Sequence, residues 1–120
     1  MNAAGRERRR APRVHANFPI HLTCETGTLQ GVLRDISAVG LCCQIPAALR
    51  EMTLVRMRLE LPGVPHAADV DGVVVRAEKL RDKSPATYDV AMFFSNLSPG
   101  ARSAIEAFVQ KNQVAATARG

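Results

Sequence analysis

The chain has 120 residues, of which 47% are hydrophobic, 22% are charged and 4% are aromatic. This length predicts one small domain, because a second core of ordinary size does not fit. The composition is typical of a folded globular protein and excludes an intrinsically disordered chain. No stretch approaches the roughly 18 consecutive apolar residues of a membrane span. The basic N-terminus also lacks the apolar segment of a secretory signal peptide.

The positive charge is concentrated at the N-terminus. Residues 1–13 contain five arginines and one glutamate, a net +4 of the chain's total of +5. Arginine presents a planar guanidinium that forks onto phosphate oxygens or a guanine edge and stacks on aromatic rings. The segment therefore predicts an anionic partner, either a nucleic acid, a membrane surface or a nucleotide. The alternative is a solvated basic tail with no partner.

Alternating apolar and polar residues predict six short β-strands, because side chains on a strand point to opposite faces in turn. Turn signals such as Pro62-Gly63 separate them. The approximate strand ranges are 18–24, 28–35, 41–45, 54–61, 68–80 and 87–94.

A helix is predicted over residues 99–111. Ser98 supplies a capping hydroxyl and Pro99 occupies the first helical position, a common helix start. Apolar residues then recur at helical spacing and form one stripe. The stripe contains Ala101, Ile105, Phe108 and Val109.

Six strands and one terminal amphipathic helix favour a small antiparallel β-barrel. Closure of the sheet removes unpaired strand edges, and the helix can cover an open end or an apolar side. Residues 1–8 are predicted to form a flexible basic arm and residues 9–111 the folded domain. Residues 112–120 lack periodicity and predict a disordered tail.

Two short motifs carry the candidate functional residues. The first is Arg9-x-x-x-Arg13, just before the first predicted strand. The second is Asp35-x-Ser37-x-x-Gly40, at the turn between the second and third strands. Each is weak alone, since arginine clusters produce the first by chance and an Asx-type turn explains the second. Their order and their positions relative to the strands make the combination more specific.

These motifs give the chain its resemblance to the PilZ domain family, which extends over residues 8–111. The resemblance implies a six-stranded β-barrel with a C-terminal helix that binds cyclic di-GMP, a bacterial second messenger. It implies that the arginine motif and the Asp-x-Ser-x-x-Gly motif together form the ligand site. It also implies that Arg8, just before the arginine motif, accompanies the binding of two mutually intercalated ligand molecules. The segments that carry it are Arg9–Val14, Phe18–Ile20, Asp35–Leu41 and Tyr88–Pro99.

The chemistry of these residues suits that ligand. Arg9 and Arg13 can fork onto guanine O6 and N7, bind a phosphodiester or stack on a purine. The Asp35 carboxylate only accepts hydrogen bonds, which matches the N1–H and N2–H₂ donors of guanine and disfavours adenine. Ser37 can donate and accept, and Gly40 permits positive φ and a close backbone approach.

The sequence thus predicts a cytoplasmic receptor that couples the cyclic di-GMP level to a protein partner by ordering its arginine arm. One alternative is a PilZ-like adaptor that acts through protein contacts without ligand. Another is a basic barrel that binds single-stranded nucleic acid, which the scarcity of aromatic residues disfavours because such proteins stack bases on exposed rings.

Other chemistry is not expected. Cys24, Cys42 and Cys43 form a poor disulfide framework and indicate a reducing compartment. No histidine lies at zinc-ligand spacing from a cysteine, so no metal is predicted. The sequence has no nucleophilic triad spacing and no glycine-rich phosphate loop, which argues against an enzyme or a bound cofactor.

Overall fold

The computed structural model describes residues 12–25 and 27–119, with side chains up to residue 113. Six antiparallel strands pair around a closed barrel in the order β1-β2-β3-β6-β5-β4, and one helix follows them. The strands are β1 Val14–Cys24, β2 Gly27–Ile36, β3 Gly40–Ile45, β4 Leu54–Leu59, β5 Ala68–Lys79 and β6 Tyr88–Leu97, and the helix is α1 Pro99–Arg119.

The sequence-predicted architecture is confirmed. Alternation along β4 shows why, since its inward residues are almost fully buried while Arg56 and Arg58 between them are exposed. The inward-facing residues of all six strands meet in one core, and each fully buried aliphatic side chain contributes about 1.5–3 kcal/mol. The hydrophobic residues with no exposed surface are Ile20, Leu22, Leu33, Ile36, Cys43, Met57, Leu59, Val74, Val90 and Ile105.

The helix is attached to the barrel through the predicted apolar stripe. Its backbone begins at a cap in which the Ala101 N–H donates to Ser98 Oγ at 3.1 Å. The helix packs against β1, β5 and β6. The ring of Phe108 meets the ring of Phe18 edge to face, with centroids 6.0 Å apart, a favoured geometry for aromatic pairs. Among the described residues, no helix combines the length and the apolar character that crossing a bilayer requires.

Several element ends differ from the sequence-based prediction. Strand β1 begins at Val14 rather than Phe18, and β6 continues to Leu97 rather than Phe94. Helix α1 continues through Arg119, whereas the periodicity predicts an end at residue 111. The helix extends beyond its apolar stripe because residues 115, 116 and 118 are alanine, the residue with the highest intrinsic helix propensity.

Replacing Phe108 by alanine is expected to lower the free energy of unfolding by about 3 kcal/mol, because a large buried side chain leaves a cavity. Phe108 is 6% exposed, whereas Phe93 is 52% exposed and provides a matched control. Phe93→Ala should change stability by less than about 0.5 kcal/mol. Urea unfolding followed by circular dichroism measures both, and equal losses would contradict the assigned core.

Candidate functional site

The turn between β2 and β3 is held together by Ser37. This residue is fully buried, and its N–H donates to the Gly40 carbonyl oxygen at 2.8 Å. Its hydroxyl donates to the same oxygen at 3.4 Å and accepts the Val39 N–H at 3.2 Å. The serine hydroxyl therefore shapes this turn, and these three hydrogen bonds of Ser37 all lie within it.

Gly40 allows the end of this turn to pack against the neighbouring strand. It lies opposite Phe93 of β6, and a Cβ atom at Gly40 would overlap the backbone carbonyl oxygen of Met92. The sequence analysis attributes to glycine both positive φ and close approach. Gly40 is not among the positive-φ residues, so the close approach of two backbones is what requires glycine here.

The two sequence motifs meet through Arg13 and Asp35. Arg13 Nη1 donates to Asp35 Oδ1 at 2.6 Å across 22 positions of sequence. The Arg13 side chain is 47% exposed and the Asp35 side chain 21% exposed, so the pair is open to solvent on the outside of the barrel. Asp35 lies opposite His15 in the β1–β2 register, and Arg13 therefore reaches it diagonally from just before the start of β1.

Cys42 lies next to this pair. It is directly opposite Asp35 across the β2–β3 ladder, and its Sγ lies 3.6 Å from Arg13 Nη1. Burial and then the Asp35 carboxylate raise the pKa of the Cys42 thiol above its ordinary value, while the charges of Arg13 and Arg76 oppose that rise. The pKa of the neighbouring Cys43 thiol is raised to about 12, and burial is the largest cause.

The same surroundings act on Arg13. Burial lowers its pKa, but the hydrogen bond that Arg13 donates to Asp35 and the negative charge of Asp35 outweigh that effect and raise the pKa above its ordinary value. Arg13 therefore stays charged at every physiological pH, and the site keeps a cation beside a carboxylate.

The structure brings together the described candidates from both motifs. Arg13 and Asp35 are in contact, and Ser37 and Gly40 form the turn that follows Asp35. Arg8 and Arg9 lie outside the described residues. The part of the chain that is described contains no group of three or more potential metal-ligating side chains.

Sequence reasoning did not connect Cys42 with the site. The signal was available, because the turn after Asp35 is short, with only residues 37–39 between β2 and β3. Counting back through such a hairpin places Cys42 opposite Asp35 on the same face. Cys42 is nevertheless only 8% exposed, since the Arg13 side chain lies against it.

Replacing Asp35 by asparagine is expected to accelerate alkylation of Cys42 by iodoacetamide at pH 8. Loss of the carboxylate removes a charge that raises the pKa of the thiol, and each unit of lowering increases the thiolate fraction about tenfold below that pKa. The difference between variant and wild type should shrink as the pH rises through the pKa, where both thiols are ionised. Peptide mapping by mass spectrometry measures the rate, and Cys43 should remain unlabelled.

Asp69→Asn is the matched control, because Asp69 also accepts from an arginine, Arg58 Nε at 3.2 Å, but does not influence Cys42. Its alkylation rate should equal that of the wild type. A Cys42 rate in Asp35→Asn no higher than in this control would contradict the described geometry.

Comparisons with solved structures identify the fold. The inhibitor of motility MotI/DgrA from Bacillus subtilis superposes with a TM-score of 0.74 at 18% identity, over 88% of this chain and 51% of that one. The PilZ domain of Escherichia coli YcgR, solved with c-di-GMP, superposes with a TM-score of 0.67 at 19% identity, over 93% of this chain and 96% of that one. The K. pneumonia MrkH–c-di-GMP complex superposes with a TM-score of 0.73 at 17% identity, over 93% of this chain and 55% of the MrkH chain.

The chain thus spans about half the length of the MotI and MrkH chains and almost the whole of the isolated YcgR domain. No curated protein sequence matches it. The PilZ domain family model matches residues 7–111, which include both motifs, all six strands of the barrel and the first part of α1. The chain therefore belongs to the PilZ domain family.

Proposed function

We propose that this chain is a non-enzymatic receptor for cyclic di-GMP. The observation that carries the proposal is the 2.6 Å contact between Arg13 and Asp35, which joins the two motifs at one point on the barrel surface. Further support comes from YcgR and MrkH, which share this fold and have been solved with c-di-GMP. Arg8 and Arg9, from the segment that precedes Arg13, complete the proposed site.

The Arg13–Asp35 pair suits a site that exchanges partners. A solvent-exposed ion pair contributes only about 0–1 kcal/mol to folding, so it opens at little cost. The N1–H and N2–H₂ groups of a guanine compete for the Asp35 carboxylate. Arg13 is then free to fork onto guanine O6 and N7 or to bind a phosphodiester. Adenine lacks that pair of donors, so Asp35 selects guanine.

Ser37 and Gly40 contribute by fixing the turn from which Asp35 projects. The hydroxyl of Ser37 is engaged with Val39 and Gly40, and Gly40 packs against β6. In this proposal both residues position the carboxylate and the turn backbone against the ligand. Three or four contacts of this kind, after the cost of ordering the arm, support micromolar binding, about −8 kcal/mol.

The signal passes to a partner through the arginine arm. Ligand held between the arm and Asp35 orders the arm on the barrel and creates a surface absent without ligand. Val39 and Phe93, exposed by 49% and 52%, adjoin this position, since Phe93 lies opposite Gly40. A protein that contacts both the arm and these apolar side chains binds the loaded receptor preferentially. Cys24, Cys42 and Cys43 make a poor disulfide framework, which suits the reducing cytoplasm in which this receptor is proposed to act.

Isothermal titration of the chain with cyclic di-GMP tests the proposal. The wild type should bind with micromolar affinity, and Arg13→Ala and Asp35→Ala should each weaken binding at least about tenfold, since one good bidentate contact is worth roughly 1–3 kcal/mol. Arg58→Ala is the matched control, because Arg58 pairs with Asp69 on the other side of the barrel. Near-wild-type affinity in Arg13→Ala would overturn the site.

Competing ligands separate the alternatives in the same experiment. GTP and cyclic di-AMP should bind at least tenfold more weakly than cyclic di-GMP. A chain that binds no nucleotide would favour the ligand-free adaptor. Binding of a single-stranded oligonucleotide that falls steeply between two salt concentrations, with no preference for cyclic di-GMP, would favour a nucleic-acid-binding barrel.

Replacing Arg8 by leucine is expected to lower the calorimetric ratio of ligand to protein from two towards one. A third guanidinium can stack on or fork to the guanine of a second, intercalated molecule, and leucine cannot. Arg6→Leu makes the same change elsewhere in the basic arm and should leave the ratio at two. An unchanged ratio in Arg8→Leu would show that Arg8 does not hold a second molecule.

A further inference from the structure

One row of residues crosses the outer face of four neighbouring strands. Asp35 of β2 lies opposite Cys42 of β3, Cys42 lies opposite Ala91 of β6, and Ala91 lies opposite Arg76 of β5. Strands in a sheet are about 4.8 Å apart, so Asp35 and Arg76 stand roughly 14 Å apart along the sheet. The row therefore begins at the Arg13–Asp35 pair and ends at a second arginine.

The centre of this row is a floor of short side chains. Gly40, Cys42 and Ala91 lie together on the outer face of β3 and β6. Phe93, half exposed, stands beside the floor on one side. A planar ring system can approach the sheet closely here, because no long side chain projects from the floor between Asp35 and Arg76.

Arg76 differs from the two outer-face arginines of the adjacent strand β4. Arg56 and Arg58 of β4 each lie opposite an aspartate of β5 and bind it, at 2.9 Å and 3.2 Å. Arg76 lies opposite Ala91 and is exposed, and it forms no ion pair within the described part of the chain. The positive charge of Arg76 reaches the floor, since it opposes the rise in the pKa of the Cys42 thiol two strands away.

The neighbouring row shows why a cation matters at this end. Glu78 of β5 lies directly opposite Asp89 of β6, a like-charge arrangement that is unfavourable in itself. Cyclic di-GMP carries two phosphodiesters, so this edge would repel it if the two carboxylates stood alone. Asp89 precedes Ala91 by two positions on β6, and Arg76, opposite Ala91 on β5, is the cation that offsets this negative charge at the edge of the floor.

We propose that Arg76 forms the far side of the ligand site and binds a phosphodiester of cyclic di-GMP whose guanine lies over Cys42 and Ala91. The inference rests on the proposed function and extends the site from β2 and β3 across to β5. Arg13 and Arg76 then hold the ligand from opposite ends of the floor. A guanidinium suits this role because it binds phosphate oxygens through two parallel hydrogen bonds.

Titration of Arg76→Ala with cyclic di-GMP tests this inference. The dissociation constant should rise about tenfold, and binding should depend less on salt than in the wild type, because one charge interaction is lost. Arg76→Glu should abolish measurable binding, and Arg76→Lys should recover part of the affinity. Arg34→Ala is the control, because Arg34 is another exposed arginine, on β2, and this variant should bind as the wild type does.

The two failures are distinguishable. If the wild type binds and Arg76→Ala binds equally well with the same salt dependence, the role of Arg76 is overturned while the receptor function stands. If the wild type itself does not bind cyclic di-GMP, the receptor function fails and the inference fails with it. Arg76 is exposed, so thermal unfolding of each variant should match the wild type and exclude misfolding as the cause of a loss.

Discussion

The seam between β3 and β6 is the constraint on which the site depends. These strands are far apart in sequence, and their pairing closes the barrel. At the end of the seam Gly40 approaches the backbone of β6 so closely that a Cβ atom would overlap the Met92 carbonyl oxygen. A larger residue would force β3 away from β6, and the alignment of Asp35, Cys42 and Ala91 would be lost. The glycine of the motif is therefore required by the packing of the sheet, whether or not a ligand is bound.

The charged groups on the outer face fall into two kinds. The arginines of β4 bind aspartates placed opposite them by strand register, so each pair is set by the backbone. Arg13 instead reaches Asp35 diagonally from a residue that precedes β1. A cation attached outside the sheet can leave its carboxylate without disturbing a ladder. The β4–β5 ion pairs are therefore fixed by the sheet, whereas the Arg13–Asp35 pair can separate without a change in strand pairing.

The sequence predicts the architecture well because the information is local. Alternation identifies β4, the serine and proline before Ala101 identify the helix start, and each signal depends on a few adjacent residues. Strand ends are less predictable, since Ala16 and the polar Ser95-Asn96 carry little periodic signal although they lie within β1 and β6. The apolar stripe predicts a shorter helix than α1, because the final turns of the helix have high helix propensity but no apolar stripe.

The motifs likewise identify which residues meet but not how they are used. The contact between Arg13 and Asp35 follows from the two motifs taken together. The buried position of Ser37 and the contact of Cys42 with Arg13 depend on the exact conformation of a turn, which spacing does not encode. The orientation of Arg76 depends on an irregularity in the β5–β6 register between Val74 and Arg76. One extra residue there moves every later side chain to the other face.

The separation of core and site has an evolutionary consequence. The packed residues point inward, whereas Arg13, Asp35, Ala91 and Arg76 belong to the outer surface. Natural selection can therefore retune what this surface recognises while leaving folding stability almost untouched. Conversely, the interior can drift so long as volume and alternation are kept. Barrels that are only 17–19% identical and still superpose are the expected product of an interior and an outer surface that diverge independently.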